Sequence, residues 1–392
     1  MGNFLDLFDR DEIFFKDDIQ QKEKSLKEII SNSSFLVIGA AGSIGNSVSL
    51  QIINRNPKKV DLVDINENEL TETIRQIRNL DKPISSELNI IVADYGSKYF
   101  LQSLNSKKYD YVLNLSALKH VRSEGYITSI KRMFDVNIEY NLKLLETLDG
   151  NIKKFFCVST DKATNPINLM GASKRIMELL VSSLSKGNKY SSARFANVAF
   201  SNGSLLQSFQ NRMNLLQPIA CPSLIKRYFI SQKEAGELCM LSTIFGEEGE
   251  IYIPKLKNSD QYLLSTLAKK YIENQGFKPF ICNTETQAKK NINLVKEKKW
   301  PLFLSEPDTT GEKHEEEFFE ESEDVDSSRY DNISIIKTNH KVSKYEINRF
   351  REDLKNLNNS DSSKKSDYVS LVKTLLPTFG HIEREKSLND GL

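Results

Sequence analysis

From Ser34 onward the chain alternates short apolar runs with stretches in which apolar residues recur every three or four positions. Parallel strands buried on both faces, joined by crossover helices, leave this trace. The runs predict strands at 35–38, 60–63, 88–92, 111–115, 155–158 and 192–198. Leu70, Ile74 and Ile77 share one helical face between the second and third runs, and Phe134, Ile138, Leu142 and Leu145 share another between the fourth and fifth. The pattern predicts an α/β fold with a doubly wound parallel sheet over 34–202. Residues 1–33 are charged and mildly amphipathic, with an apolar edge of Leu5, Phe8, Ile13, Phe14 and Phe15, and read as an N-terminal helical extension. Past Asn202 the alternation fades, with one more strand-like run at 250–253. Residues 203–357 therefore read as a smaller C-terminal lobe, some of whose segments return to the sheet. The acidic stretch 312–326 reads as a solvated face. Residues 358–366 read as a flexible linker, 368–376 as a short helix, and the remainder to 392 as a polar tail.

A chain of 392 residues can bury a full-sized core. Its 54 basic residues against 53 acidic ones leave a net charge of +1, too little for a broad basic field, so no nucleic-acid partner is expected. No apolar run approaches the about 20 residues that cross a bilayer, and the acidic start carries no signal-peptide pattern. Cytoplasmic localisation is the expectation. Cys157, Cys221, Cys239 and Cys282 are scattered without a CxxC pair and read as buried free thiols, with no metal site.

The first strand runs directly into Gly39-Ala40-Ala41-Gly42-Ser43-Ile44-Gly45, which opens a helix. In that setting the first glycine permits a tight turn, the second lets backbone approach a pyrophosphate, and the third lets helix and strand pack closely. Free N–H groups at the helix start, around Ser43 and Ile44, face the phosphates. Asp64, ending the second strand, suits a ribose hydroxyl and repels a 2′-phosphate, so a Rossmann domain holding NAD is favoured over one holding NADP. Glu67 and Glu69 add to that repulsion, and Arg75 and Arg78 temper it. Asp94, ending the third strand, is either an adenine contact or a plain turn residue.

Where the run 155–158 stops, Thr160, Asp161 and Lys162 follow, and Lys174 stands one helical turn after Met170. Short-chain dehydrogenases place a proton-abstracting Tyr four residues before such a Lys, so that both share a helix face. Here Met170 takes the Tyr position, and a thioether is no base. The runs Ser159-Thr160-Asp161-Lys162, Asn165-Pro166 and Met170-Gly171-Ala172-Ser173-Lys174-Arg175 resemble the UDP-N-acetylglucosamine 4,6-dehydratases of bacterial polysaccharide and nonulosonic acid biosynthesis, part of which carry this methionine. Ser116-Ala117-Leu118-Lys119-His120-Val121, Asn137, Arg194-Phe195-Ala196-Asn197-Val198, Lys226-Arg227 and Thr310-Gly311-Glu312-Lys313 extend the likeness over about 33–319. Ile38, Gln207 and the stretch 215–222, which lacks paired glycines, depart from the family pattern. The longer members carry N-terminal membrane spans, so this chain is expected to be the short form.

The resemblance implies a Rossmann domain with a substrate-binding lobe and NAD-dependent loss of water from a UDP-N-acetylhexosamine. The sugar is oxidised at C4, deprotonated at C5, stripped of water at C6 and reduced there by the borrowed hydride. It implies Lys162 as the C5 base, with an amine made available by burial and by cationic Lys174. Asp161 is implied as the C6 acid and as a candidate acceptor of the C4 proton, with Thr160 bonding the C4 oxygen. Ser116, Ala117, Asn137 and Lys174 are implied at the cofactor, Lys119 and His120 at the sugar or nicotinamide, and Asn197 and Arg227 at the diphosphate. Glu312 and Lys313 either close the site or belong to the acidic face. A homo-oligomer is expected by analogy. A nucleotide-sugar 4-epimerase and a non-catalytic NAD-binding protein stand as alternatives, the second favoured by Met170 alone.

Overall fold

The protein is described by a computed structural model, covering residues 4–381 except 82, 149, 186–188, 307–315 and 339–340. Thr310, Gly311, Glu312 and Lys313 lie outside the described residues. Among the described residues fifteen strands occur in order: β1 Ser34–Ile38, β2 Lys59–Asp64, β3 Glu87–Val92, β4 Tyr111–Asn114, β5 Lys154–Val158, β6 Lys189–Ala193, β7 Asn197–Val198, β8 Ile219–Pro222, β9 Lys226–Ile230, β10 Glu250–Pro254, β11 Gln261–Leu263, β12 Lys278–Cys282, β13 Lys299–Ser305, β14 Asp324–Asp326 and β15 Ile333–Lys337. Nine form one sheet, ordered β14-β15-β10-β6-β5-β4-β1-β2-β3. It is parallel from β10 to β3, and β15 and β14 close the other edge antiparallel. Helices cover both faces, the doubly wound arrangement that the apolar runs predict.

Strand order reverses at β1, whose Val37 pairs with Leu62 of β2 on one side and Leu113 of β4 on the other. Loops leaving the two neighbours diverge there and open a crevice beyond the carboxyl ends, where open α/β sheets take ligands. Phe134, Ile138, Leu142 and Leu145 are all buried, along a helical segment that passes through a π turn at Asp135–Glu139. All four cysteines are buried and free.

The run 192–198, read as one strand, is two. β6 stops at Ala193, and β7 joins a separate three-stranded sheet, β11-β9-β7. Apolar character alone could not reveal the break, because Ala193 before it, Phe195 and Ala196 within it and Val198 after it are all buried. A third sheet, β12-β13-β8, packs with the helix Leu264–Asn274 around Phe209, Ile219, Trp300 and Leu302. The run at 250–253 becomes β10 and joins the main sheet beside β6.

The N-terminal residues form helices at Phe4–Leu7 and Lys16–Ser31. Phe8 packs beneath Phe229 and Tyr262, whereas Phe15, Leu26 and Ile30 join the core under β1. Arg10 and the Phe14 N–H both engage the buried Glu234 carboxylate, which stitches this segment to the helix Gln232–Phe245. Residues 358–366, read as a flexible linker, are instead tied down. Lys131 Nζ donates to the carbonyls of Asn358 and Ser360 at 3.1 and 2.7 Å, and Asn358 Nδ2 donates to Asp135 at 2.8 Å. Among the described residues no helix is long and apolar enough to cross a membrane.

Candidate active site

The glycine loop follows β1 at the switch point. Gly39 has φ +74°, and a Cβ there would lie 2.7 Å from the Ser116 backbone nitrogen. A Cβ on Gly45 would lie 1.9 Å from the Gly39 carbonyl oxygen. Both glycines are therefore required by the chain's own packing. Gly42 differs: a Cβ would meet only the Gly39 oxygen at 3.5 Å, and the residue lines the cleft. It also caps the helix Ser43–Ile53 with no side-chain hydrogen bond, so the helix N-terminus opens onto that cleft. A loop whose middle position is left open before an uncapped helix end fits a dinucleotide pyrophosphate.

The cleft encloses about 1800 Å³. Gly42, Ser43, Ile44, Gly45, Ala117, Lys119 and His120 line it, and so do Thr160, Asp161, Lys162, Met170, Lys174, Asn197 and Arg227. Gly39, Asp64, Asp94, Ser116 and Asn137 are not among the residues that line it. Asp64 accepts from the Ala41 and Asn66 N–H groups, each at 2.9 Å, so its carboxylate braces the glycine loop. Asp94 pairs with Arg132 at 2.8 Å. Ser116 donates its N–H to Asn114. Asn137 is buried, exchanges two 2.9 Å hydrogen bonds with the Leu118 backbone and donates a third to Ser173 Oγ, fastening the loop after β4 to the helix Leu169–Leu184.

At the end of β5, Thr160 Oγ1 donates to Asp161 Oδ1 at 2.7 Å, and Lys162 Nζ bonds both Asp161 oxygens at 3.2 and 3.3 Å. Asp161 is buried, whereas the Lys162 side chain is 36% exposed toward the cleft. Met170 is 2% exposed, and its N–H donates to Glu124. Lys174 Nζ donates to the Val158 carbonyl at 3.0 Å, and burial lowers its pKa to about 8. Lys162 behaves oppositely to the expectation that Lys174 would depress it. Burial does work to lower its pKa, but the carboxylates of Asp161 and Glu316 outweigh this and hold it above the ordinary lysine value. Burial lowers the pKa of both Lys119 and His120.

Of the acidic stretch expected as a solvated face, residues 316–326 are described: Glu317, Glu321 and Asp324 are exposed as expected, whereas Glu316, Phe318 and Glu323 turn inward. The Glu316 side chain is only 4% exposed and lines the cleft. Its carboxylate accepts from Asn197 Nδ2 at 2.5 Å and from the Tyr228 N–H at 2.8 Å, with Arg227 Nε 3.6 Å away. Burial first, and the Asp161 charge next, push its pKa up to about 7. Seven residues on, Glu323 pairs at 2.9 Å with Arg194, which is wholly buried and also grips Glu178 of the helix Leu169–Leu184 at 2.7 Å. Sequence reasoning missed Glu316. Its one available signal is Phe318 among the acids, an apolar anchor incompatible with a wholly solvated run.

A glycine loop at the switch point, sharing one cleft with a Thr-Asp-Lys chain, defines a Rossmann-fold protein of the extended short-chain dehydrogenase/reductase type. The chain belongs to the polysaccharide biosynthesis protein family, which matches it over residues 35–338. It is 29% identical over 285 residues to the capsular polysaccharide biosynthesis protein CapD of Staphylococcus aureus, a match covering 70% of this chain and 46% of that relative's length. It is 26% identical to an inverting UDP-N-acetylglucosamine 4,6-dehydratase of Campylobacter jejuni, over 58% of this chain and 68% of that protein. A UDP-glucose 4-epimerase of Rickettsia bellii is also 26% identical, over 57% and 66%. Among solved structures, Pen from Bacillus thuringiensis aligns with a TM-score of 0.65 at 20% identity, covering 83% of this chain and 98% of that one. DesIV, a dTDP-glucose 4,6-dehydratase from Streptomyces venezuelae solved with NAD, aligns with a TM-score of 0.53 at 16% identity, over 69% and 84%. These structural likenesses establish the fold.

Proposed function

We propose that the protein is an NAD-dependent nucleotide-sugar dehydratase that converts a UDP-N-acetylhexosamine, UDP-N-acetylglucosamine foremost, to its 4-keto-6-deoxy derivative. The carrying observation is the hydrogen-bonded chain Thr160–Asp161–Lys162 on the cleft wall that begins at the glycine loop. NAD is favoured over NADP because Asp64, ending β2 against the glycine loop, is a carboxylate that would repel a 2′-phosphate. The chemistry that NAD would supply here, held at the glycine loop and by Lys174, is reversible hydride acceptance between C4 and C6.

The remaining chemistry falls to side chains. Thr160 Oγ1 already donates to Asp161, so it can accept the C4 hydroxyl proton while passing its own to that carboxylate. This fills the gap left by Met170, and Asp161 then holds a proton for the departing C6 hydroxyl. Lys162, once it has shed its extra proton to solvent and stands as the neutral amine, takes the C5 proton and later returns it. Lys174, anchored to Val158, is directed at the nicotinamide ribose, and Lys119 and His120 at the sugar. Asn197 and the planar Arg227 fork serve the diphosphate. A cytoplasmic homo-oligomer belongs to the same reading.

The 4-epimerase reading has relatives of equal identity, but such a reaction requires no acid at C6, and Asp161 supplies one. NMR of a reaction with NAD and UDP-N-acetylglucosamine separates the readings: a 4-keto-6-deoxy sugar is expected, whereas an epimer or unchanged sugar refutes the dehydratase. Asp161→Asn and Lys162→Ala are each expected to lower turnover by at least about 10²-fold, with NAD affinity by calorimetry unchanged. Near-normal turnover in either removes the assignment.

A further inference from the structure

The π turn at Asp135–Glu139 is wider than the helices on either side of it, and the Tyr140 N–H reaches back five positions to the Asp135 carbonyl. A turn of this kind needs other groups to take up the backbone it frees. On its inner side Tyr95 Oη donates to the Val136 carbonyl, and Asn141 Nδ2 donates to the Asn137 carbonyl at 3.1 Å. On its outer side one element holds both ends, the helix Lys344–Asn359. Arg351 lays its guanidinium fork on Glu139, with Nη2 donating to Oε1 at 2.9 Å and Nε to Oε2 at 3.0 Å, and Asn358 Nδ2 donates to Asp135 at 2.8 Å. Positions 351 and 358 are two turns apart on one face of that helix. Ile347, Phe350 and Leu354, all buried, seat the helix independently of these contacts. It begins beyond residue 338, where the family match ends.

What the turn carries is Asn137. Its Oδ1 accepts the Leu118 N–H, and its Nδ2 donates to the Leu118 carbonyl and to Ser173 Oγ, each at 2.9 Å. Leu118 directly precedes Lys119 and His120, which line the cleft, and Ser173 directly precedes Lys174. A turn that relaxes toward α-helical winding re-aims Asn137, so the outer contacts and the cleft loop are coupled through one side chain.

We infer, resting on the dehydratase reading, that the helix Lys344–Asn359 braces the π turn from outside and so sets where Lys119 and His120 stand against the sugar. Arg351 is the positioning residue of this brace. It is not among the residues that line the cleft, and it acts through Glu139, Asn137 and the Leu118 backbone in turn. Its planar fork fixes both the distance and the angle of the Glu139 end, which a single ammonium cannot do. Lys143 also lies 3.6 Å from Glu139, but it belongs to the helix that continues the turn and cannot hold the turn against a second element.

Arg351→Ala in the full chain tests this. Hydrogen exchange of the Leu118 amide, followed by NMR, is expected to speed up at least about 10-fold, with the amides of β1 and β5 unchanged. The kcat/KM for UDP-N-acetylglucosamine should fall at least about 10-fold, with NAD affinity by calorimetry held within about twofold. Arg351→Lys, which keeps a charge on Glu139 but not the fork, should recover part of both losses. Glu139→Gln, which loosens the same contact from the side of the turn, should repeat the Arg351→Ala pattern. In a chain already carrying Lys119→Ala and His120→Ala, Arg351→Ala should cost less than about twofold more, which a general loosening of the fold would not reproduce. Unchanged Leu118 exchange in a folded Arg351→Ala or Glu139→Gln, a full further loss in the Lys119→Ala, His120→Ala background, or a matching fall in NAD affinity overturns the inference while leaving the dehydratase standing. No dehydrated sugar from the unaltered protein overturns the dehydratase, and Leu118 exchange then decides for or against the brace by itself.

Discussion

At the scale of single residues, the same burial acts on several ionisable groups, and their neighbours decide the outcome. Lys174 meets a carbonyl and is lowered to about 8, whereas Lys162 meets the Asp161 carboxylate, with the Glu316 charge adding to it, and is raised. Glu237 has weaker help, from Lys233 at 3.9 Å. It is 3% exposed on the helix Gln232–Phe245, its Oε2 has no hydrogen-bond partner, and burial pushes its pKa from 4.5 to about 7. Below about pH 4.5 both folded and unfolded chains bind this proton, so the group costs nothing. As pH rises toward 7 the unfolded chain releases it first, and the folded state loses relative stability. Glu237→Gln is therefore expected to raise stability at pH 8 by roughly 1–3 kcal/mol, with the gain gone near pH 4 in urea unfolding. The sequence offered no hint of this site. A glutamate on a helix is ordinarily solvated, and its burial depends on the helix Ser43–Ile53, which lies nearly two hundred residues earlier.

Among elements, the glycine loop was legible because its causes are local: a strand, a turn and a helix start within a dozen residues. Its three glycines do different work, and substitutions should separate them. Gly45→Ala forces a Cβ onto the Gly39 carbonyl and is expected to destabilise the fold by about 1–3 kcal/mol. Gly42→Ala points its methyl into open cleft, so the melting temperature should hold while NAD affinity by calorimetry weakens about 10-fold or more. The break between β6 and β7 was not legible. Arg194 sits in that gap, and a charged residue inside an apolar run explains itself only once its partners Glu178 and Glu323 are seen.

For the whole molecule, the cluster around Arg194 ties the end of β6 to the helix Leu169–Leu184 and to the returning acidic segment. Burial disfavours the charged form of Glu323, yet the Arg194 guanidinium holds its pKa down to about 2. This contribution is present above the ordinary value of 4.5 and is lost as pH falls toward 2. Glu323→Gln should cost about 3 kcal/mol at pH 7, and the difference from the unaltered protein should vanish near pH 2 in thermal unfolding. Strand runs predicted most of the sheet, since each is a property of a few adjacent residues. The inward turn of Glu316 and Glu323 was hidden because their counter-charges come from distant parts of the chain. That separation has a cost during synthesis. Arg194 leaves the ribosome 129 residues before Glu323, a wait on the order of ten seconds at typical elongation rates of about 5–20 residues per second. Throughout that wait the nascent chain carries a guanidinium lacking its second carboxylate, and the β6 edge, until β10 emerges, has no strand to cover it.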